Sequence, residues 1–170
     1  RPTYYAENGI TVHLGDKVVS INKAAKTVTS AMGAVIAYDK LVMATGSFPF
    51  VPPVTGRDAT GCFVYRTIED LIGMKNHAAS SKVGVVIGGG LLGLECASAL
   101  KNMGLETHVV EFAPRLMTVQ VDDGGGAILK RKIESLGVKV HLNKNTSEIV
   151  KTADGRVEKM TFADKSELKT

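Results

Sequence analysis

The stretch that decides the fold is "VGVVIGGGLLGLECASAL", which runs from Val83 to Leu100. A short apolar run leads into three consecutive glycines, and an apolar pattern of helical period leads out. A flexible linker would have polar flanks, whereas the flanks here are apolar on both sides. The glycines are therefore predicted to form a tight turn between a buried strand and a helix.

Gly88, Gly90 and Gly93 have the spacing G-x-G-x-x-G, which is weak evidence by itself but strong between a strand and a helix. In such a unit the first glycine permits the tight turn, and the second lets a pyrophosphate approach the backbone. The third lets the helix pack closely on the strand. The N–H groups and the positive dipole at the helix start attract the phosphates. The pattern predicts a dinucleotide site formed by Gly88, Gly90, Leu91, Leu92 and Gly93.

An acidic residue, Glu111, lies at the end of the next predicted strand, "ETHVVEF". A carboxylate at this place accepts a hydrogen bond from the ribose 2′-OH of NADH and repels the 2′-phosphate of NADPH. The sequence therefore predicts a preference for NADH. Two alternatives stay open: Glu111 is a solvated strand end, or Arg115, four residues later, offers a 2′-phosphate a partner and softens the preference.

The rest of the chain gives a coarse element pattern. A helix end in "RPTYYAENGI" precedes the strand-like runs "ITVHLG", "KVVSINKAAKTVTS" and "AVIAYD" and a buried strand, "KLVMATGS". After the proline-rich "SFPFVPPVTG" comes a helix with Thr67 as N-cap, and then a βαβαβ alternation that ends in hairpins. This predicts an α/β, Rossmann-like three-layer fold with a parallel sheet and an added β-meander.

A second glycine triplet, Gly124 to Gly126, opens the helix "DDGGGAILKRKIESLG". Each glycine inside a helix costs about 1 kcal/mol relative to alanine. We therefore expect the helix to begin near Ala127; the alternative is that another part of the chain packs against the bare backbone. No catalytic role is assigned to these residues.

Composition and charge exclude several classes of protein. The net charge of +4 is spread along the chain without a basic, aromatic-rich stripe, which argues against nucleic-acid binding. No apolar run is long enough to span a membrane. Cys62 and Cys96 are isolated and the four histidines lack ligand spacing, so no metal site or redox disulfide is expected. A reduced, cytoplasmic setting follows as the default expectation.

The block before the glycine turn changes the interpretation. Ala44-Thr45-Gly46 and the prolines of "SFPFVPPVTG", followed by the Gly88 to Gly93 loop, resemble the pyridine nucleotide-disulfide oxidoreductase superfamily. In that family an "ATG" strand closes an FAD domain, a proline-rich crossover follows, and an NADH domain is inserted. The resemblance implies the end of an FAD-domain segment over residues 1–54, a linker over 55–66 and an NADH-binding domain over 67–170.

Longer strings, among them "YDKLVMATGSFPFVPP" and "ETHVVEFAPRLM", resemble one group of this family, the large subunits of NAD(P)H-dependent nitrite reductases. The resemblance covers most of the chain from Tyr4 to Thr170. It implies an internal fragment, because the two FAD motifs of the family would lie before Arg1 and after Thr170. Siroheme and iron–sulfur cysteines would lie further on, and the two cysteines here do not replace them.

The resemblance also implies roles for residues. NADH would pass hydride to FAD for transfer to downstream electron-acceptor domains, and finally for the reduction of nitrite to ammonia in nitrate assimilation. Thr45 and Gly46 would be flavin-side residues, and Glu95 would lie near the nicotinamide. Glu95 is equally well explained as a helix glutamate paired with Lys101 or left in solvent. No catalytic residue is named, a homodimer is possible, and the isolated fragment is expected to be inactive.

Three other functions fit the same motifs. The first is a flavoprotein reductase that passes electrons to rubredoxin, ferredoxin or oxygen. It would share every motif described above, and only further C-terminal sequence would distinguish it from a nitrite reductase. The second is a non-catalytic NAD-sensing module, whose whole protein would lack a flavin. The third is an assembly fragment with a degenerate pocket.

Overall fold

The computed structural model describes residues 2–170 and contains four helices and nine strands within them. The helices are α1 (Pro2–Glu7), α2 (Ile68–Ala78), α3 (Leu91–Asn102) and α4 (Asp123–Ser135). The first strands are β1 (Val18–Asn22), β2 (Thr27–Ser30) and β3 (Val35–Ala37). The later strands are β4 (Val83–Ile87), β5 (Glu106–Val110), β6 (Val138–His141), β7 (Thr146–Lys151), β8 (Val157–Phe162) and β9 (Glu167–Lys169). The chain divides into two compact units between Ser47 and Phe48.

The first unit consists of α1 and an antiparallel sheet of order β1-β2-β3. The prediction of two strands in this unit is wrong, because the stretches "ITVHLG" (10–15) and "KLVMATGS" (40–47) are irregular. "KLVMATGS" is also exposed rather than buried, with Val42 at 86% exposure. Among the described residues no strand pairs with either stretch, so their backbone groups remain available to water.

The second unit has the predicted βαβαβ alternation and a parallel sheet of order β4-β5-β6. Val83 pairs with Glu106 and Ile87 with Val110, so the two strands end level at their carboxyl ends. Helices α3 and α4 connect successive strands and cover one face of the sheet. Crossovers of this kind bring the carboxyl ends of the strands, and the loops that follow them, to one edge.

Side-chain caps set two helix starts. Thr67 accepts a hydrogen bond from the Asp70 N–H, and the Asp70 carboxylate accepts from the Thr67 N–H at 2.8 Å, which completes a capping box at α2. Asp122 caps α4 by accepting from the Gly125 N–H at 2.8 Å. A cap of this kind stabilises a helix by about 1 kcal/mol.

The expected start of α4 near Ala127 is wrong. The helix begins at Asp123, so all three glycines of the triplet lie in its first turn. The alternative reading explains the last of them: Gly126 is buried, and a Cβ built there would lie 3.0 Å from both Cβ and Cδ of Arg115. Packing against Arg115 thus accounts for the glycine at position 126, while the Asp122 cap marks the start of the helix.

Two apolar clusters hold the second unit in three layers. One lies between the sheet and the helices, where Val86, Val109 and Leu100 are buried together with Leu116. The other lies on the opposite face, where Val85 and Val110 meet the antiparallel meander β7-β8-β9 through Met160. The predicted α/β fold of helices, parallel sheet and added meander is confirmed.

The segment predicted as a linker over 55–66 makes contacts along much of its length. Thr55 forms a bridge to Glu148 of β7, Thr60 forms one to Arg156 just before β8, and Ala59 is only 4% exposed. Asp58 accepts an ion-paired hydrogen bond from Lys151 at 2.8 Å. These residues therefore belong to the second unit, which begins at Phe48.

Candidate dinucleotide-binding site

The glycine turn between β4 and α3 has the backbone that its sequence requires. Gly88 has a φ of +115°, a conformation that residues with a side chain rarely adopt. Gly90 is the N-cap of α3 and provides no side-chain cap, while its carbonyl accepts from the Leu94 N–H at 3.0 Å. The first N–H groups of α3 therefore have no capping side chain, and an anion at the helix start would satisfy them.

Gly90 and Gly93 face different surroundings. Nothing lies within 4 Å of a Cβ built on Gly90, so its side-chain space is open on the protein side. A Cβ on Gly93 would instead overlap the carbonyl oxygen of Gly88 and lie 3.5 Å from Val86. Gly93 thus permits the close approach of α3 to the turn and the strand. The neighbouring Leu91 and Leu92 are 60% and 57% exposed at the helix start.

The middle glycine, Gly89, is a residue that the motif does not require and that sequence reasoning missed. It is buried, and a Cβ there would overlap the Leu116 side chain and lie 3.2 Å from the Glu111 carboxylate. Its N–H donates to Glu111 Oε2 at 2.6 Å, and its carbonyl accepts from the Met117 N–H at 3.0 Å. The segment from Glu111 to Met117 therefore binds the backbone of Gly89 through both its N–H and its carbonyl. The only available sequence signal was the extra glycine itself.

Glu111 lies directly after β5 beside the glycine turn, as the motif predicts, but its carboxylate already has protein partners. Oε2 accepts from Gly89, and Oε1 accepts from the Ala113 N–H at 2.8 Å. Each carboxylate oxygen can accept more than one hydrogen bond, so room remains for a hydroxyl donor. Glu111 is half-buried and shapes the turn as well as presenting a negative charge to it.

The guanidinium of Arg115 is already bonded to other groups of the protein and is not directed at a phosphate site. Its Nη1 pairs with Asp123 at 2.7 Å, its Nε donates to the Val121 carbonyl at 3.2 Å, and its Nη2 donates to the Thr118 carbonyl at 3.2 Å. All three nitrogens are directed towards the start of α4. The expectation that Arg115 could be a partner for a 2′-phosphate is therefore replaced by a structural role.

Glu95 lies one turn into α3 on an exposed position. It lines a shallow pocket of about 240 Å³ together with Leu92, Tyr65 and Arg66. Burial and the neighbouring Glu95 carboxylate raise the pKa of Tyr65. Among the ion pairs of residues 2–170, none joins Glu95 to Lys101. The pocket therefore places Glu95 near the Tyr65 phenol, with the Arg66 side chain also in its lining.

Thr45 and Gly46 lie in the exposed, irregular stretch of the first unit. Gly46 has a φ of +73°, and nothing lies within 4 Å of a Cβ built there. Within the part of the chain that the structure describes, no other residue of this unit joins them in a cradle. The flavin-side role of Thr45 and Gly46 therefore stays a prediction, and neither residue is given a step in the chemistry.

The four histidines have no ligand spacing in the sequence, but two of them lie in contact in the structure. His108 of β5 and His141 of β6 stack with ring centroids 5.2 Å apart, and His108 Nδ1 lies 2.9 Å from His141 Nε2. His108 Nε2 lies 3.0 Å from Glu106 Oε1, and Glu106 also pairs with Lys139. Burial is the main cause that lowers the pKa of His141, and the nearby His108, Lys144 and Lys139 lower it further.

The remaining titratable groups give no second site. No cluster of three or more histidine, cysteine or acidic side chains able to hold a metal ion occurs between residues 2 and 170. Burial raises the pKa of Cys96 to about 11 and also raises the pKa of Cys62. Cys96 is a residue of α3 and is buried in the apolar core. None of the helices in the described chain has the length and apolar character that crossing a membrane requires.

The glycine turn fits the pyrophosphate of a dinucleotide on three observations. Space is open at Gly90, the first turn of α3 has no side-chain cap, and a carboxylate stands at the end of the neighbouring strand. Bound there, the nicotinamide supplies hydride chemistry, while the chain supplies binding and orientation. The arrangement therefore suits the pyrophosphate of a nicotinamide dinucleotide.

Comparison with curated proteins finds close relatives. The chain is 54% identical over 168 residues to the nitrite reductase (NADH) large subunit of Escherichia coli (strain K12), a match that covers 99% of this chain and 20% of that protein. It is 32% identical to the rubredoxin-NAD(+) reductase of Ectopseudomonas oleovorans, over 97% of this chain and 43% of that protein. The chain thus spans about a fifth of the length of the nitrite reductase relative.

The fold matches solved reductases. The crystal structure of the ferredoxin reductase for the CYP199A2 system from Rhodopseudomonas palustris superposes with a TM-score of 0.90 at 27% identity, over 99% of this chain and 41% of that one. The family model described as pyridine nucleotide-disulphide oxidoreductase matches residues 3–170. The glycine turn, the parallel sheet and the meander are therefore parts of a known architecture, and this chain belongs to the pyridine nucleotide-disulphide oxidoreductase family.

Proposed function

We propose that the second unit binds NADH at the Gly88 to Gly93 turn. The single observation that carries this proposal is the uncapped start of α3, which opens onto free space at Gly90 beside the Glu111 carboxylate. The backbone N–H groups of the first helical turn bind the pyrophosphate. Glu111 accepts from the ribose 2′-OH and repels a phosphate at the same position.

Glu95 and the pocket that it shares with Tyr65 accommodate the nicotinamide end in this proposal. Hydride transfer between two cofactors needs alignment rather than a protein acid or base. The role of this chain is therefore to bind and orient NADH and to keep its reactive end in a defined place. No residue of the chain acts as a catalytic acid or base.

For the whole protein we propose an NADH-dependent flavoprotein reductase whose electrons reduce nitrite to ammonia in nitrate assimilation. The support is the identity of 54% to a nitrite reductase large subunit over nearly the full chain. FAD in the whole protein, siroheme and an iron–sulfur cluster outside this chain, and further electron-acceptor domains all belong to this proposal.

A second candidate is a reductase that supplies a separate electron-transfer protein. The similarities to a rubredoxin reductase and to a ferredoxin reductase favour it. Both candidates use the same NADH site, so acceptor assays separate them. The protein is expressed from its whole gene, with any sequence that accompanies this chain. It is then mixed with NADH and with nitrite, ferredoxin or rubredoxin, and NADH oxidation and ammonia formation are measured.

Ammonia that forms in step with the loss of NADH supports the nitrite proposal. NADH oxidation that needs ferredoxin or rubredoxin and ignores nitrite contradicts it. A product that binds NADH but has no flavin absorption supports the NAD-sensing module instead.

Titration with NADH and NADPH by calorimetry tests the cofactor proposal. We expect wild type to bind NADH at least about tenfold more tightly than NADPH, because the Glu111 carboxylate repels the 2′-phosphate. In Glu111→Gln the charge is lost at nearly constant side-chain volume, so the difference in affinity between NADH and NADPH becomes smaller. The exposed Glu158→Gln is the matched control and keeps the wild-type ratio. Equal binding of NADH and NADPH by wild type would contradict the role of Glu111.

A further inference from the structure

Arg115 connects the segment that grips Gly89 to the start of α4. The segment from Glu111 to Met117 holds the Gly89 peptide, and Arg115 lies within that segment. Its guanidinium reaches Asp123 at 2.7 Å and two backbone carbonyls at 3.2 Å. The neighbouring Leu116 is fully buried against Gly89, so a shift of Arg115 is transmitted to the glycine turn.

The contact between Arg115 and Gly126 sets how close that segment lies to the helix. Gly126 is the only buried residue of α4, and a Cβ there would come within 3.0 Å of the Arg115 stem. A contact this short forces one partner to move by a few tenths of an ångström. Arg115 has little freedom to move, because its three nitrogens are bonded on the far side.

We propose that Arg115, seated on the bare backbone of Gly126, is a positioning residue for the dinucleotide turn. It acts through Leu116 and Met117 on the Gly89 peptide, and so on the start of α3 where the pyrophosphate binds. This inference rests on the proposed NADH site. It also explains why an unfavourable glycine stands inside the first turn of α4.

The test compares two alanine substitutions in the same helical turn, made in the protein expressed with any sequence that accompanies this chain in its gene. Gly126→Ala presses on Arg115, whereas the Cβ of Gly124→Ala meets nothing nearer than an Asp122 oxygen at 3.6 Å. Calorimetry with NADH measures Kd, and a thermal melt measures stability. We expect Gly126→Ala to weaken NADH binding by about fivefold or more, because small displacements at a binding site are costly. Gly124→Ala stays within about twofold of wild type because it leaves Arg115 in place.

A double-substitution cycle shows whether the effect passes through Arg115. With Arg115→Ala in place, adding Gly126→Ala should not weaken NADH binding further, because the stem that it displaces is absent. Arg115→Lys keeps part of the stem, and its Kd should lie between those of wild type and Arg115→Ala. If Gly126→Ala fails to fold by circular dichroism, the Arg115 series alone decides the question through Kd.

A purely structural role predicts a different pattern. The melting temperature would fall in the Arg115 and Gly126 variants, while the Kd of the folded protein would match that of Gly124→Ala. That result, or additive effects in the cycle, overturns the inference and leaves the NADH proposal intact. Failure of wild type to bind NADH overturns the NADH proposal itself.

Discussion

Gly88, Gly90 and Gly93 lack a side chain for three different physical reasons. Gly88 has a φ of +115°, a Cβ on Gly93 would overlap the Gly88 carbonyl, and a Cβ on Gly90 would meet nothing within 4 Å. The first two requirements come from the protein itself. In our proposal the third comes from the bound pyrophosphate, because only a ligand would occupy the open space.

Two alanine substitutions separate these reasons. Gly93→Ala should destabilise the fold by about 1–3 kcal/mol, because the new Cβ overlaps a backbone carbonyl that cannot turn away. Gly90→Ala should leave the melting temperature nearly unchanged and weaken NADH binding about tenfold or more. Thermal melts and calorimetry measure the two effects. Unchanged NADH binding by Gly90→Ala would place the pyrophosphate elsewhere.

The motif glycines were predictable from the chain, whereas the packing of Gly89 and Gly126 was not. Gly89 is constrained by Leu116, and Gly126 is constrained by Arg115. Those partners lie many residues away along the chain, and no local sequence pattern predicts either contact. The same holds for Arg115. From the sequence it is a candidate partner for a phosphate, whereas in the structure its guanidinium pairs with Asp123 of α4.

At the scale of elements, helices were predicted more reliably than strands. Helix α2 has its capping box in its own sequence, so its start at Ile68 follows from local chemistry. The run "KLVMATGS" has strand composition, yet it is irregular because a strand needs a neighbour to bond with. Local preference is sufficient for a capped helix and insufficient for an isolated strand.

The stacked histidines on β5 and β6 give a pH dependence that belongs to these two strands. The lowered pKa of His141 means that the folded state binds its proton less readily than the unfolded state does. The groups that face it are His108 from β5, Lys139 on β6, Lys144 in the following loop and Glu134 from α4. Stability is therefore full above the ordinary histidine value of 6.5 and is lost as the pH falls below it.

Thermal melts between about pH 7 and pH 5 test this dependence, a window above the ordinary carboxyl values. We expect less than about 1 kcal/mol of lost stability from His141, because its ring is partly exposed and solvent screens the charge. His141→Gln should flatten the slope. The control His13→Gln, at an exposed position of the first unit, should keep it. An equal slope in wild type and His141→Gln would contradict the assignment to this pair.

At the scale of the whole molecule, the chain forms two compact units, and the stretch on either side of their boundary is exposed. Val42 is 86% exposed, Met43 67%, Phe48 99% and Phe50 84%. The second unit has two apolar clusters of its own, one on each face of its parallel sheet. Its stability therefore has a source that does not depend on residues 41–50.

Limited proteolysis of the 170-residue chain tests this division. Thermolysin cuts before apolar residues in exposed, locally unfolded chain, so we expect the first cuts within residues 41–50. The equally apolar "VGVVI" of β4 should survive, because it is paired with β5 and covered by α3. Mass spectrometry identifies the products. Early protection of residues 41–47 would instead support the buried strand that the sequence predicts.

The sequence by itself determined the turn at Gly88, the cap of α2, the alternation of strands and helices in the second unit and the family to which the chain belongs. These features depend on steric limits and apolar periodicity over a few residues, which can be read along the chain. Only the tertiary structure decided that Leu116 covers Gly89, that Arg115 rests on Gly126, that His108 meets His141 and that residues 40–47 stay unpaired. Each of these depends on which distant segments come into contact, and that is settled when the core packs.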